Sequence, residues 1–428
     1  MKKGSLSGHF ILFLVTCCFL MVSCGRDHFN QGTADSEEQG QVIIKILKVG
    51  DLQKATIDLM VDNFNKEHEN VKAEIVAIAD SSRMEELYEI INTRISGGEI
   101  DLLFLWDATD IWRYQEGNLL EDLMPYLDKS ENYSLDRMVP NAIKCFQRDG
   151  GLYGLSPYFT IETVGGKASQ VGEKAGWTTE EFIAWLREHP ECKGEMGLAK
   201  DYVLNYFILK GSLNRYVDFD QKKAYFQGND FRELLQELKE LPLDEHWYAD
   251  TWYEEESQDY ERLEWIRWHN SSSYAEMIRN YGEDLTFMGF PTTDGTPCHY
   301  MSSTSLSMLG RCKHKEEAWQ FMEYVQLHFP EAFAGNEFWM DQDLLEQSLS
   351  SQIEVYDPLH GSVTFTLSDH QEQSLRNVIS TMKIESLEQR TVWNIIVEEV
   401  WPYFNDQKSL DEVCEIIQKR AQLFLSEE

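Results

Sequence analysis

Aromatic and acidic side chains adjoin each other directly after an apolar stretch of the sequence. Residues 100–112 read IDLLFLWDATDIW, so that Trp106 and Asp107 follow the uninterrupted apolar run Leu102–Leu105. Such a run predicts a buried parallel β-strand, and ligands of open α/β sheets bind beyond the carboxyl ends of the strands. Trp106 and Asp107 are therefore candidates for ligand binding, the first through its aromatic face and the second as a hydrogen-bond acceptor. The alternative is structural, with Trp106 in the core and Asp107 as the N-cap of the next helix.

A second strand-like run has a similar ending. The segment LEWIRWHN ends in Trp268, His269 and Asn270, and three serines follow it. No catalytic or phosphate-binding motif accompanies these residues, since the sequence lacks GxxxxGK[ST], GxGxxG after a strand, HExxH and GxSxG. The acidic segment at residues 218–220 lacks the spacing and the glycine of a calcium loop. The pattern favours a binding site without a metal ion or a cofactor.

Composition limits the classes of partner. The chain has 428 residues, of which 38 are basic and 74 acidic, so its formal net charge is −36. This charge argues against nucleic acid as a ligand and against a basic membrane-binding surface. Hydrophobic residues make up 42% and aromatic residues 12%, which suffices for packed cores and is consistent with a binder of ring-shaped ligands. The length predicts two domains.

The N-terminus has the pattern of an export signal. It begins with MKK, continues with an apolar stretch at residues 10–22 and ends in MVSC, which resembles a bacterial lipobox with Met21 in place of the usual leucine. In this interpretation residues 1–23 are a lipoprotein signal peptide, Cys24 carries the lipid, and residues 24–41 form a flexible polar tether. An ordinary secretory signal or an uncleaved anchor are the alternatives. We expect a chain anchored by lipid on the extracytoplasmic face of the cell membrane.

Five cysteines remain once the signal peptide is removed and Cys24 is lipidated. They are scattered, with no CxxC and no metal-ligand spacing, at Cys145, Cys192, Cys298, Cys312 and Cys414. This distribution predicts buried free thiols, or at most one or two disulfides.

Apolar periodicity predicts alternating strands and helices in the first hundred residues after the tether. VIIKILKV and VKAEIVAI have the pattern of strands, and the segments that follow each of them have apolar residues at helical spacing. With the run Leu102–Leu105 they form a β-α-β-α-β series, which predicts a parallel sheet. Further helices are predicted at residues 178–187 and 316–329, a hairpin turn at residues 220–222, and a mainly helical final hundred residues.

Four longer phrases, in this order, resemble a known family. They are IDLLFLWDATDIWRYQEGNLLEDLMPYLD, DGGLYGLSPYFTIETVGGKASQVGEKAGWTTEEF, LTFMGFPTTDGTP with SLSMLGRCKHKEEAWQFMEYV, and VWNIIVEEVWPYFNDQKSLDEVCEIIQKRAQLFL. The resemblance is to the extracellular solute-binding proteins of sugar ABC importers, the maltose-binding-protein-like class. It implies an α/β, two-lobed periplasmic-binding-protein-like fold of class II, in which each lobe is a sheet flanked by helices and the hinge consists of crossing strands. The implied N-terminal lobe is 42–156 plus 298–341, and the implied C-terminal lobe is 157–297 plus 342–428.

The same resemblance implies a function. It is that of a monomeric lipoprotein that captures a carbohydrate, in particular an oligosaccharide, in an interlobe cleft and delivers it to an ABC permease. One alternative is a secreted carbohydrate-active enzyme that uses two cleft carboxylates such as Asp107 and Asp201. Another is a protein of the same fold that presents its ligand to a sensor.

Sugar recognition requires aromatic faces for the C–H surface of the ring and polar groups for its hydroxyls. By position in the family's pattern, the resemblance implies ligand contacts from Asp51, Trp106, Asp107, Asp201, Tyr202, His269, Asn270 and Trp393. Tyr158 and Ser303 join them as neighbours of the crossing strands. For Asp51 the structural alternative is a turn, and for Trp393 it is core packing on a helix.

Overall fold

Strands and helices alternate along the chain from Val42 onward, as the periodicity predicts. The computed structural model describes residues 41–49, 56–79, 84–105, 107–190, 199–243, 264–268, 270–333, 337–350, 352–357 and 361–427. The predicted signal peptide, the predicted tether up to residue 40, and the predicted site residues Asp51, Trp106 and His269 lie outside the described residues, as do Cys24 and Cys192.

Many of the strands in the described part are short, and the longest is β6. They are β1 (Val42–Val49), β2 (Val71–Ile78), β3 (Leu102–Leu105), β4 (Gln147–Arg148), β5 (Gly151–Leu152), β6 (Tyr158–Lys167), β7 (Val217–Asp218), β8 (Lys223–Ala224), β9 (Glu264–Trp268), β10 (Leu285–Phe287), β11 (His299–Ser302), β12 (Ser305–Met308), β13 (Phe338–Trp339), β14 (Ile353–Asp357), β15 (Gly361–Phe365) and β16 (Met382–Lys383).

Helices separate most of these strands. They are α1 (Thr56–Glu67), α2 (Met84–Gly97), α3 (Ile111–Glu116), α4 (Met124–Leu127), α5 (Pro140–Ile143), α6 (Ala168–Val171), α7 (Thr179–Glu188), α8 (Lys200–Tyr202), α9 (Leu209–Ser212), α10 (Asn229–Glu240), α11 (Ser271–Tyr281), α12 (Lys315–Ala332), α13 (Gln342–Ser350), α14 (Asp369–Thr381), α15 (Leu387–Phe404) and α16 (Leu410–Glu427).

The first sheet has the strand order β12-β3-β1-β2. β1 pairs in parallel with both β2 and β3, which confirms the predicted parallel arrangement, and β12 joins β3 in antiparallel orientation. Apolar side chains of α1 face this sheet, because Ile57, Met60 and Phe64 recur at helical spacing and are all buried. The ring of Phe64 meets that of Phe321 on α12 edge-on, with centroids 5.2 Å apart, and so joins the two helices.

The second sheet is built around β6. Its order is β10-β6-β11-β16, and β9 and β13 also pair with β6. β11 and β9 run antiparallel to β6 on its two sides, with Glu162 of β6 opposite Tyr300 of β11 and Arg267 of β9. This register places one acidic and one basic side chain of the sheet next to each other.

Two crossings between the sheets lie side by side. The chain leaves the first sheet after Leu155, which bridges to Leu306, and enters β6 at Tyr158; it returns between β11 and β12. The hydroxyls of Ser156 and Thr304 are 3.2 Å apart, and Ser303 donates a hydrogen bond of 2.7 Å to the carbonyl oxygen of Tyr158. These crossings are the counterpart of the predicted hinge strands.

Buried apolar side chains form two clusters. The first includes the first sheet, its helices and the start of β6, and the second includes α7, α10, α15 and α16 with Val164 of β6. Residues of α13 and α14, for example Leu345 and Leu375, belong to the first cluster. The lobe boundaries given above stay predictions.

Local sequence signals account for most element boundaries. Thr178 and Glu181 form the reciprocal hydrogen bonds of a capping box at the start of α7, as the sequence TTEEF indicates. β7 and β8 form the predicted hairpin. The prediction of a mainly helical end was wrong for β14 and β15, which pair as a hairpin whose alternation of apolar residues in IEVYD and GSVTF has the period of a strand.

The four described cysteines outside the signal region are buried with free thiols: Cys145, Cys298, Cys312 and Cys414. In the described part of the chain, no helix has both the length and the apolar character needed to cross a membrane.

Candidate functional site

A cavity of about 200 Å³ lies where the carboxyl end of β3 faces the start of α15. We call it the cleft cavity, because its lining comes from elements of both apolar clusters. The lining residues are Asp107, Thr109, Glu162, Tyr206, Lys210, Arg267, Tyr300, Met301, Ser302, Glu385, Arg390, Trp393 and Asn394. Charged side chains from several separate elements therefore converge on one small volume.

Asp107 has both a structural role and a position in the cavity. Its Oδ1 accepts hydrogen bonds from the backbone N–H, at 2.8 Å, and from the hydroxyl of Thr109, so that it caps the short helical turn Ala108–Asp110. Its Oδ2 accepts a hydrogen bond of 2.5 Å from Arg390 on α15. The structure confirms the N-cap role of Asp107 and places its side chain in the cavity lining, and its contact with a ligand stays a prediction.

Arg390 joins the segment after β3 to α15. Its guanidinium donates to Asp107 and, over 2.8 Å, to Thr109 Oγ1, and it lies 3.6 Å from Asp110 and 3.8 Å from Glu385. Burial alone would lower the pKa of Arg390, but the carboxylates of Asp107, Asp110 and Glu385 outweigh it and raise that pKa. The guanidinium is therefore a permanent cation between three carboxylates.

Lys210 has the same kind of environment on the opposite side of Glu385. Its Nζ is 3.5 Å from Glu162 and 3.5 Å from Glu385, and it lies 5.5 Å from the centre of the Tyr300 ring. Burial acts to lower the pKa of Lys210, and the two glutamates raise it above the ordinary value in spite of this. Arg267 completes the arrangement by pairing with Glu162, which is only 4% exposed.

These contacts connect six side chains in a continuous series that we call the charge row. In order it consists of Arg267, Glu162, Lys210, Glu385, Arg390 and Asp107. Cations and anions alternate along it, so each buried charge has a partner of opposite sign, as a buried charge requires. The row presents alternating donors and acceptors to anything that enters the cavity.

Aromatic rings form another part of the lining. Trp393 donates its indole N–H to the carbonyl oxygen of Asn205 over 2.7 Å, which fixes the orientation of the ring. Tyr206 meets Trp393 edge-on at 5.4 Å between centroids, and Tyr202 stacks on Tyr206 at 4.6 Å. Tyr206 lies in the π-helical segment Val203–Ile208, a backbone form that is frequent at functional sites.

Two of the described site residues predicted from the sequence, Asp107 and Trp393, line the cleft cavity. Tyr202 lies behind Tyr206, and the carboxylate of Asp201 accepts a hydrogen bond of 2.8 Å from the Tyr202 backbone N–H. Asp201 is not part of the lining, so the pair of Asp107 and Asp201 does not share the cavity.

The other described predictions lie elsewhere. Tyr158 stacks on Phe329 at 5.4 Å, and Ser303 is buried at the crossing strands with its hydroxyl bonded to the Tyr158 carbonyl. Asn270 is the N-cap of α11, where its side chain accepts a hydrogen bond of 2.9 Å from the Ser273 N–H. The structure does not bring these three residues to the cleft cavity.

A match to a family model decides the classification. The model of bacterial extracellular solute-binding proteins matches residues 50–328, which is more than half of the chain. The chain belongs to this family. Solute-binding proteins bind their ligands without transforming them, so this chain is a binding protein rather than an enzyme. A search of curated proteins finds no match.

Solved structures share the two-lobed fold of this solute-binding protein. The sugar-binding protein MalE from Xanthomonas citri is 14% identical, with 90% of this chain and 98% of that chain covered and a TM-score of 0.62. An ABC substrate-binding protein from Listeria monocytogenes in complex with cycloalternan is 14% identical, with 90% and 99% covered and a TM-score of 0.59. The GacH receptor of Streptomyces glaucescens, solved without ligand and with acarbose, is 13% identical, with 90% and 99% covered and a TM-score of 0.59.

Sequence reasoning missed most of the charge row of this solute-binding protein. Two signals were available. Glu162 is the one acidic residue in the strand YFTIETVGGK, and a lone charge in a buried strand needs a partner. Arg390 precedes Trp393 by three residues on α15, so the two share one face of the helix.

A further cavity of about 310 Å³ lies between α5, α13 and α14. Its lining is mainly apolar, and its two charged residues, Glu346 and Arg376, are paired with each other. In the described part of the chain, no group of His, Cys, Asp or Glu side chains has the arrangement of a metal site.

Proposed function

We propose that this solute-binding protein captures a carbohydrate in the cleft cavity. The observation that carries the proposal is the charge row beside the rings of Trp393 and Tyr206. A sugar hydroxyl both donates and accepts hydrogen bonds, so neighbouring hydroxyls of a ring match neighbouring cations and carboxylates of the row. The aromatic faces suit the apolar C–H surface of the same ring.

The names of the structural relatives support this ligand class. The Xanthomonas protein is a sugar-binding protein, the Listeria protein was solved with cycloalternan, and the Streptomyces receptor was solved with acarbose. At sequence identities of 13–14%, these relatives support the fold alone. The proposed ligand class rests on the chemistry of the cleft cavity.

An oligosaccharide fits the surroundings of the cavity better than a single sugar. The cleft cavity is smaller than the ~300–1,000 Å³ that is usual for ligand sites. A wider opening of about 720 Å³ is lined by Glu388 at the start of α15, together with Glu116, Arg148, Phe219 and Lys222. Arg390, two residues further along α15, lines the cleft cavity. We propose that a chain of sugar rings extends from the cleft cavity toward this opening.

The role in transport follows from the proposed ligand and the family. We propose that the lipid-anchored monomer, attached through Cys24, delivers its carbohydrate to an ABC permease on the extracytoplasmic side of the membrane. Closure of the two lobes around the ligand, by rotation about the crossing strands, would create the surface that the permease recognises.

Isothermal titration calorimetry of the mature protein with a panel of glucose-, mannose- and galactose-based mono-, di- and trisaccharides tests the proposal. We expect saturable binding to at least one trisaccharide, tighter than to its monosaccharide. A thermal shift gives an independent readout, since ligand at 100 times its dissociation constant stabilises by about 2.7 kcal/mol. The proposal is wrong if no glycan binds whereas peptides or amino acids do.

Overnight incubation with the bound glycan distinguishes binding from hydrolysis. We expect the glycan to be recovered unchanged, as judged by chromatography. Cleavage products would instead indicate a carbohydrate-active enzyme.

A further inference from the structure

Glu385 binds two cations of the charge row at once. Its Oε2 lies 3.5 Å from Lys210 Nζ and 3.8 Å from Arg390 Nε. Glu385 immediately precedes Ser386, the N-cap of α15, whose capping box with Gln389 fixes the backbone at this point. The carboxylate is therefore held between Lys210 and Arg390, the two cations that could otherwise bind an anionic group of a ligand.

Carboxylates balance the cations in the lining of the cleft cavity. Among the described residues, the three carboxylates of Asp107, Glu162 and Glu385 face the three cations of Lys210, Arg267 and Arg390. Asp110, outside the lining, adds a further carboxylate 3.6 Å from Arg390. Each of these cations already contacts at least one carboxylate, and Lys210 and Arg390 contact two or more. An incoming anion thus finds no cation in this set that lacks a counter-charge.

The charge row affects the binding of neutral ligands and of anionic ligands differently. A hydroxyl can bond to a carboxylate and a cation of the row while their ion pairs stay in place. A carboxylate on the ligand would either displace Glu385 from Lys210 and Arg390, or add a further negative charge to a poorly solvated site, and like-charge juxtaposition in such a place costs several kcal/mol. The net charge of −36 on the whole chain acts in the same direction at long range.

We propose, on the basis of the carbohydrate-binding function above, that the cleft cavity accepts uncharged glycans and rejects acidic ones, and that Glu385 determines this selectivity. The ligand class is thus that of neutral sugars, and uronic acids are excluded. Replacement of Glu385 by a neutral residue removes one counter-charge from both Lys210 and Arg390, so that a ligand carboxylate can take its place between them.

Calorimetry with matched glycan pairs tests this selectivity. Each pair consists of a neutral glucose-, mannose- or galactose-based trisaccharide and the same trisaccharide with one hydroxymethyl group oxidised to a carboxylate. For the wild-type protein we expect the acidic member to bind at least roughly tenfold more weakly than the neutral member. Acidic members that bind as tightly as the neutral ones overturn the inference while leaving the proposed function intact.

Glu385→Gln is the decisive variant, because it keeps the size and the hydrogen-bonding capacity of the side chain. We expect the acidic member to gain roughly tenfold in affinity relative to the neutral member. Glu162→Gln, which frees Lys210 and Arg267, should shift the ratio in the same direction and covers the case in which Glu385→Gln fails to fold. An unchanged ratio in both folded variants overturns the role of the carboxylates.

Glu398→Gln is the matched control. It removes the same charge from the same helix, but Glu398 pairs with Arg420 at 2.6 Å and lines neither the cleft cavity nor the wider opening. We expect its ratio to equal that of the wild type. An equal gain in Glu398→Gln would assign the effect to net charge and overturn the role of Glu385. Failure of all proteins to bind either member of every pair overturns the carbohydrate function itself, and the inference with it.

Discussion

The ends of β3 and β9 look alike in the sequence and differ in the folded chain. Each strand leads into a polar residue that could contact a ligand, Asp107 after β3 and Asn270 after β9. Each of these residues caps the helical segment that follows. Asp107 also lines the cleft cavity, where it pairs with Arg390 of α15 at 2.5 Å, whereas Asn270 pairs with Glu337 outside that cavity. Whether a polar residue at a strand end lines a cavity therefore depends on the element that packs opposite it.

The largest effect should come from the aromatic ring at the end of β9. Trp268 is 1% exposed, and its ring meets those of Tyr274 and Phe287 edge-on at 5.0 and 4.6 Å. Trp268→Ala should lower the free energy of unfolding by about 3–5 kcal/mol, since it leaves a cavity in the core. Chemical denaturation measures this change. A stable variant with lost glycan binding would show that Trp268 belongs to a binding site after all.

A smaller effect, on binding rather than folding, should follow from changes at the end of β3. Asp107→Asn keeps a capping oxygen for the turn but removes one of the three carboxylates around Arg390. We expect glycan affinity to fall by roughly 2–3 kcal/mol, because one member of a partly buried charge pair is lost. Calorimetry measures the affinity, and thermal unfolding should show little change. Asp122→Asn, which alters a carboxylate that accepts backbone hydrogen bonds from Met124 and Leu152 outside the cavity, is the control.

Trp393→Ala tests the aromatic side of the cavity. We expect glycan affinity to fall roughly tenfold, because the ring offers a stacking face next to the charge row. Trp393→Phe should retain most of the affinity, since the face remains and only the bond to the Asn205 carbonyl is lost. Equal binding by Trp393→Ala and the wild type would leave Trp393 as a packing residue. Competition titration against a fluorescent glycan provides the measurement.

The smallest effect is expected at Asn270. Its side chain caps α11, so Asn270→Ala should destabilise the protein by about 0.5–2 kcal/mol and leave glycan affinity unchanged. Asn270→Ser should restore most of the stability, because serine caps a helix about as well as asparagine and adds no charge beside Glu337. Loss of affinity in both variants, with the cap intact in the second, would place Asn270 in the site.

The fold could be predicted further than the site. The β-α-β-α-β series, α7 and the crossing strands follow from apolar periodicity, caps and family phrases, all of which are local signals. The charge row is not local: Arg267, Lys210 and Arg390 come from β9, α9 and α15, and only the tertiary fold brings them together. Asp107 and Trp393 could be predicted because the strand end and the family position marked them. Lys210 had no such signal, because a lone Lys on a helix resembles any solvated charge.

The two adjacent crossings between the sheets have a mechanical consequence. Hydroxyl bonds of Ser156 and Ser303 join them, and a rotation of the lobes about this line would exchange those bonds without breaking either β-ladder. Bending there would thus cost little free energy. The balance between open and closed forms would then depend on the contacts around the cavity, among them the ion pair between Asp107 and Arg390.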